Sequence, residues 1–107
     1  MVTVTIKKSE NKGKVSVVGH AGGRGRDGGD IVCAAASTVM TMLCQNLEDE
    51  VLFSYRKYNL AEGNSFARYH VNEGYEAVAN RVLEGCLLGF RMLAYSYPEC
   101  VRVIEEN

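Results

Sequence analysis

The 107-residue chain contains no stretch of the roughly 20 predominantly apolar residues that a membrane-spanning helix needs. Its opening, "MVTVTIKKSEN", alternates apolar and polar positions and lacks the continuous apolar core of a secretory signal, so a cytoplasmic protein with no membrane partner is expected. Neither sign of charge is in excess. Twelve Lys and Arg stand against 13 Asp and Glu, which leaves composition no basic face for duplex binding, and no direct nucleic-acid partner is expected. There are two histidines, His20 and His70, and four cysteines, Cys33, Cys44, Cys86 and Cys100. None of them falls at the short paired spacings of structural zinc, so neither a metal nor another cofactor is expected. Without an export signal the cysteines read as thiols rather than two disulfides. Internal repeats and interdomain linkers are also missing, and the single proline, Pro98, lies near the end.

What remains is one domain, residues 1–107, whose 47% hydrophobic content suffices for a core. Val2, Val4 and Ile6 alternate with polar residues, and after the turn-like "ENKGK" Val15 and Val17 repeat the same period of two. These are two strands of a hairpin, with His20 at the end of the second. From Asp30 the period changes, and Val32, Ala36, Val39, Leu43 and Leu47 mark one face of a helix of about five turns, with Asp30 as its N-cap. "VLFSYRKYNL" and "SFARYHV", separated by "AEGN", predict a second hairpin. A second helix carries Tyr75, Val78, Val82, Cys86, Phe90 and Leu93 on one face and ends before Pro98. "CVRVI" then alternates as a last strand. The expected fold class is α+β, a two-layer sandwich of a mixed or antiparallel sheet with two long helices packed on it.

The segment "HAGGRGRDGGDIVCAA", residues 20–35, carries the chemistry. A plain reading makes the glycines a connection and Cys33 a small core residue. A second takes Gly23, Gly25 and Gly28 as G-x-G-x-x-G, a phosphate cradle. Its context is poor, because His20, Ala21 and Gly22 separate the strand from the first glycine, the strand belongs to a hairpin, and Gly29 and Asp30 stand where a P-loop has Lys and Ser/Thr. A third reading is nucleophilic. Cys33 falls in the first turn of the helix capped by Asp30, where backbone N–H groups and the helix dipole favour a thiolate, and His20 on the far side of the glycines is placed to act as its base. His70, in an alternating strand, reads as a face residue. Arg24 and Arg26 read as solvated loop residues.

At "GHA" (19–21) and "DIVCAAAS" (30–37) the sequence resembles the ribosomal-processing cysteine protease family, Prp, of small bacterial proteins. The resemblance runs through most of the chain in layout, and its specific part is this pair of motifs. The family usually has Val where Ala36 stands, a departure that leaves the chemistry intact. The resemblance implies a cysteine endopeptidase that removes the N-terminal extension of the precursor of large-subunit ribosomal protein twenty-seven, and a homodimer. It also implies His20 as general base, Cys33 as nucleophile, Asp30 and Ser37 in support, and Gly22, Gly23, Gly25, Gly28 and Gly29 in a mobile loop that orders around the substrate peptide. The readings that compete with it are a non-catalytic ribosome-associated binding module and a nucleotide-binding protein.

Overall fold

The computed structural model describes residues 1–20 and 29–106. In chain order it has β1 (Val2–Lys8), β2 (Lys12–Gly19), α1 (Gly29–Asn46), β3 (Phe53–Asn59), β4 (Asn64–Val71), α2 (Glu76–Ser96) and β5 (Val101–Glu106). The five strands form one sheet in the order β3-β4-β2-β1-β5. β1 and β5 are parallel and the other pairs antiparallel, so the sheet is mixed. The α+β sandwich expected from the sequence is the fold found.

Alternation sorts the strands into two faces. Val2, Val4 and Ile6 of β1, Val15 of β2, Ala67 and Tyr69 of β4, and Val101 of β5 are buried in one cluster with Val32, Met40 and Leu43 of α1 and Leu83, Leu87 and Phe90 of α2. Phe53 and Tyr69 close one end of the cluster edge to face, with ring centroids 5.6 Å apart. The two helices meet where Val39 lies over Gly89; a Cβ on Gly89 would come within 3.0 Å of the valine side chain.

The inward stripe of α1 follows the sequence reading, with Val32, Ala36, Leu43 and the following Leu47 all buried. α2 is rotated from the reading. Its buried residues are Ala79, Leu83, Cys86, Leu87 and Phe90, whereas Tyr75 and Val78 are exposed. The physical reason is that α2 packs on both the sheet and α1, so its buried arc is centred between two contacts rather than on one line of positions. α1 also begins at Gly29, which puts Asp30 inside the first turn instead of at the cap.

Glu48, just after α1, ties the helix end to β3 by accepting hydrogen bonds from Arg56 Nε at 2.9 Å and the Tyr58 hydroxyl at 2.6 Å. At the opposite edge Arg91 of α2 grips Glu105 of β5 through two hydrogen bonds, of 2.8 and 2.9 Å, and reaches Glu84 at 3.0 Å. Lys8 completes that network on Glu84 at 3.0 Å.

Candidate active site

One end of the sandwich collects the end of β2, the start of β1, the β3–β4 turn and the start of β5: Val2 pairs with Gly19 and with Val101, and Val18 pairs with Asn64. α1 starts at this same end, because its other end leads to β3, whose Phe53 pairs with Val71 near the distant β1–β2 turn. The topology therefore gathers His20 and Cys33 at one end of the molecule.

His20 follows the last residue of β2 and is exposed. Its backbone is fixed from both sides. The Gly19 N–H donates to the Gly63 carbonyl at 2.9 Å, and the Met1 ammonium donates to the His20 carbonyl. Gly19 has φ +104, and a Cβ there would strike the Met1 carbonyl oxygen, so only glycine permits this close approach of the two strand ends. The imidazole lies against Gly63 in the β3–β4 turn: a Cβ on Gly63 would sit 2.8 Å from His20 Nε2 and 3.0 Å from Cε1. Gly63 has φ +76, so glycine is favoured there twice, once by the turn and once by the ring. Two strand ends and one turn thus set the direction of a single side chain.

Cys33 is the fifth residue of α1, one turn in rather than in the first turn. It is partly buried and packs against the core cluster, while Cys44, Cys86 and Cys100 are buried. None of the four is in a disulfide. Burial, and then the nearby Glu48 carboxylate, pushes the Cys44 thiol up to about 11. Burial also pushes Cys86 up, although Asn46 Nδ2, 3.4 Å from its sulfur, opposes the shift. Both thiols are buried and hold their protons at neutral pH. That leaves Cys33 as the most accessible thiol of the four.

The other candidates are placed less tightly. Asp30 belongs to the first turn of α1, a position that suits an anion, and its side chain lies outside the described residues. Ser37 is exposed and borders a shallow hollow along α1 with Thr38, Thr41 and Met42. Gly22, Gly23, Gly25 and Gly28, and with them the glycine pattern of the phosphate reading, lie outside the described residues, and Gly29 is the first residue of α1. Among the described residues no group of three or more His, Cys, Asp and Glu is arranged to hold a metal ion, and no helix is long and apolar enough to cross a membrane. Sequence reasoning missed Gly63 as the support of His20. The signal was present in "AEGN", but only the pairing of β2 with β4 brings that turn under the histidine.

Comparison with known proteins gives one family model, "Cysteine protease Prp", matching residues 1–102. No curated protein matches the chain. Among solved structures, SMU.848 from Streptococcus mutans is 27% identical with a TM-score of 0.72, the match covering 98% of this chain and 93% of that one. An essential ribosomal processing protease Prp from S. aureus, in complex with a covalently linked product peptide, is 25% identical with a TM-score of 0.74, over 99% of this chain and 100% of that one. The S. aureus protease in complex with a substrate peptide matches at 24% identity and a TM-score of 0.75, over 99% and 100% of the two chains, and supports the fold.

Proposed function

The chain belongs to the cysteine protease Prp family and is a cysteine protease, and from that premise we propose that Cys33 and His20 carry its chemistry on the N-terminal extension of a ribosomal protein precursor, that of large-subunit protein twenty-seven. The observation that carries the reading is that Cys33 alone of the four cysteines escapes burial and sits on the helix that starts at the end of the sheet holding His20.

In this reading His20 takes the Cys33 proton, and the thiolate attacks the scissile carbonyl. The imidazolium then protonates the leaving amine as the C–N bond breaks, which leaves the N-terminal fragment as a thioester on Cys33. Water attacks the thioester, His20 accepts its proton, and the acid product departs as the thiol is restored. Asp30, in the first turn of α1, adds negative charge where the helix dipole welcomes it and keeps that turn formed. Ser37 supports the site from the next turn of α1, and contact with the substrate peptide is assigned to the segment that carries Gly22, Gly23, Gly25 and Gly28. The protein acts in the cytoplasm.

The same reading includes a homodimer. The outer face of α2 supports it, with Val78, Leu88, Met92 and Tyr95 exposed at 54%, 52%, 60% and 90% along one stripe. Gly85 on that stripe has open space around its Cα, which allows a second helix to approach closely. Leu88→Glu/Met92→Glu should run as a monomer in light scattering if this face is the interface, and an unchanged mass would remove it.

The test of the catalytic assignment is cleavage of a peptide spanning the extension junction, followed by mass spectrometry. Wild-type protein should yield two fragments at one bond, and His20→Ala should be slower by about 10²–10⁴-fold. Cleavage at the wild-type rate by Cys33→Ala would overturn the assignment, and failure of the wild type to cut would favour a non-catalytic binding module.

A further inference from the structure

The face of the sheet turned away from the helices carries an arrangement that the protease chemistry does not use. Strand register aligns Lys57 with Arg68, Arg68 with Lys14, and Lys14 with Lys7, all four exposed. Four adjacent strands thus place four cations in one rung. With strands about 4.8 Å apart, the rung is roughly 14 Å long. Like charges directly opposite each other destabilise a sheet, and here the penalty falls on three successive pairs, with Glu106 opposite Lys7 at the end of the rung. A soluble sheet has no internal use for such a row.

Rings flank it. On one side the rung Tyr55–His70–Lys12 brings the tyrosine and imidazole to 4.9 Å with their planes tilted by 44°. On the other, Phe66 lies under the Arg68 guanidinium at 5.4 Å. Lys7, Lys12, Lys14, Tyr55, Arg68 and His70 border a hollow of about 440 Å³. The hydroxyls of Ser16 and Thr5 stand in register beside Phe66. Cations that follow a backbone, next to faces on which bases stack, are the elements of single-strand recognition, and neighbouring hydroxyls suit a ribose 2′-OH.

We propose that this open face binds single-stranded RNA, with phosphates along the Lys57–Arg68–Lys14–Lys7 rung and bases against Tyr55, His70 and Phe66. Charge complementarity argues for a polyanion, and the rings argue for a nucleic acid over an acidic peptide. The balanced overall charge hid the site because, Glu106 at its end apart, no acidic residue stands in the rung; only the strand register assembles the cations. Lys14 lies in β2 six residues before His20, so the cation rung and His20 are separated by about 20 Å along the chain.

The experiment is fluorescence anisotropy with a labelled 12-nucleotide RNA at several salt concentrations. Wild-type protein should bind with a log–log salt slope of about −2 to −3, about 0.7 for each phosphate neutralised. Lys14→Glu/Arg68→Glu should weaken binding at least tenfold and flatten the slope, while Tyr55→Ala weakens binding and leaves the slope in place. Lys14→Gln/Arg68→Gln, which only removes charge, should lose binding in the same direction. The Lys14→Glu/Arg68→Glu protein should melt no lower than wild type and cleave the precursor peptide at the wild-type rate, which separates this claim from the protease assignment. Undiminished RNA binding by both double variants would overturn the proposal. So would equal affinity for DNA of the same sequence or for a labelled poly-glutamate peptide.

Discussion

Gly63→Ala is a direct probe of how His20 is aimed. The new Cβ would lie 2.8 Å from His20 Nε2, and ordinary contact needs about 3.5 Å, so the ring must move by roughly 0.7 Å. Displacements of about 1 Å in a catalytic group cost on the order of 100-fold. The expected fall in kcat/KM is therefore about 10–100-fold, or about 1.4–2.7 kcal/mol in the barrier. The same substitution also carries a backbone cost of about 1–2 kcal/mol, because φ is +76. Gly74→Ala isolates that cost. Its φ is +91, but a Cβ there meets nothing within 4 Å. Both variants should lose stability to a similar degree in thermal melts, by about 4–8 °C per kcal/mol for a domain near this size, and only Gly63→Ala should lose peptide cleavage. Wild-type kcat/KM in Gly63→Ala, or an equal loss in Gly74→Ala, would refute the contact as the reason His20 is held in place.

Three further expectations rest on other parts of the structure. Brief treatment with iodoacetamide near pH 7.5 should alkylate Cys33 and spare Cys44 and Cys86, whose burial keeps them protonated; comparable labelling of Cys44 in peptide maps would contradict the burial argument. Stability should fall on the alkaline side. Cys44, raised from 9.0 to about 11 by burial and Glu48, and Tyr69, raised from 10.0 to about 12 by burial and Glu84, hold their protons more tightly in the folded state. Their contribution is intact below about pH 9 and is lost as the pH climbs through 11 and 12, so denaturant midpoints should drop over that window and recover on return to pH 8. Arg91→Met, which releases Glu84 and Glu105, should cost about 0.5–1 kcal/mol at low salt and less in 1 M NaCl, since the partners are partly exposed and screened; a cost that does not change with salt would show that packing rather than charge is lost.

The sequence disclosed most where one periodicity governed. Val2, Val4 and Ile6 announced their strand, and Val32, Ala36 and Leu43 their helix, because each element buries a single face. It misled on α2, where two neighbours share the burial and Val78 points outward. His20 and Cys33 were legible as candidates from local context, a strand end and a helix start. Their supports were not. Gly63 reaches the imidazole, and Arg68 reaches Lys14, through strand pairings between segments about 45–55 residues apart, and register of that kind is set by the assembled sheet rather than by any one segment. The Glu48–Arg56–Tyr58 cluster was invisible for the same reason, since it joins a helix end to a strand whose facing is known only after a bulge between Phe53 and Tyr55.

The most direct test of the central claim is to locate a covalent bond. A chloromethyl ketone built on the residues preceding the cleavage site of the precursor should add one mass to the wild-type protein, and peptide mapping should place it on Cys33, with the rate of addition reduced in His20→Ala. Labelling at Cys44, Cys86 or Cys100, or full labelling of Cys33→Ala, would contradict the assignment of Cys33 as the nucleophile.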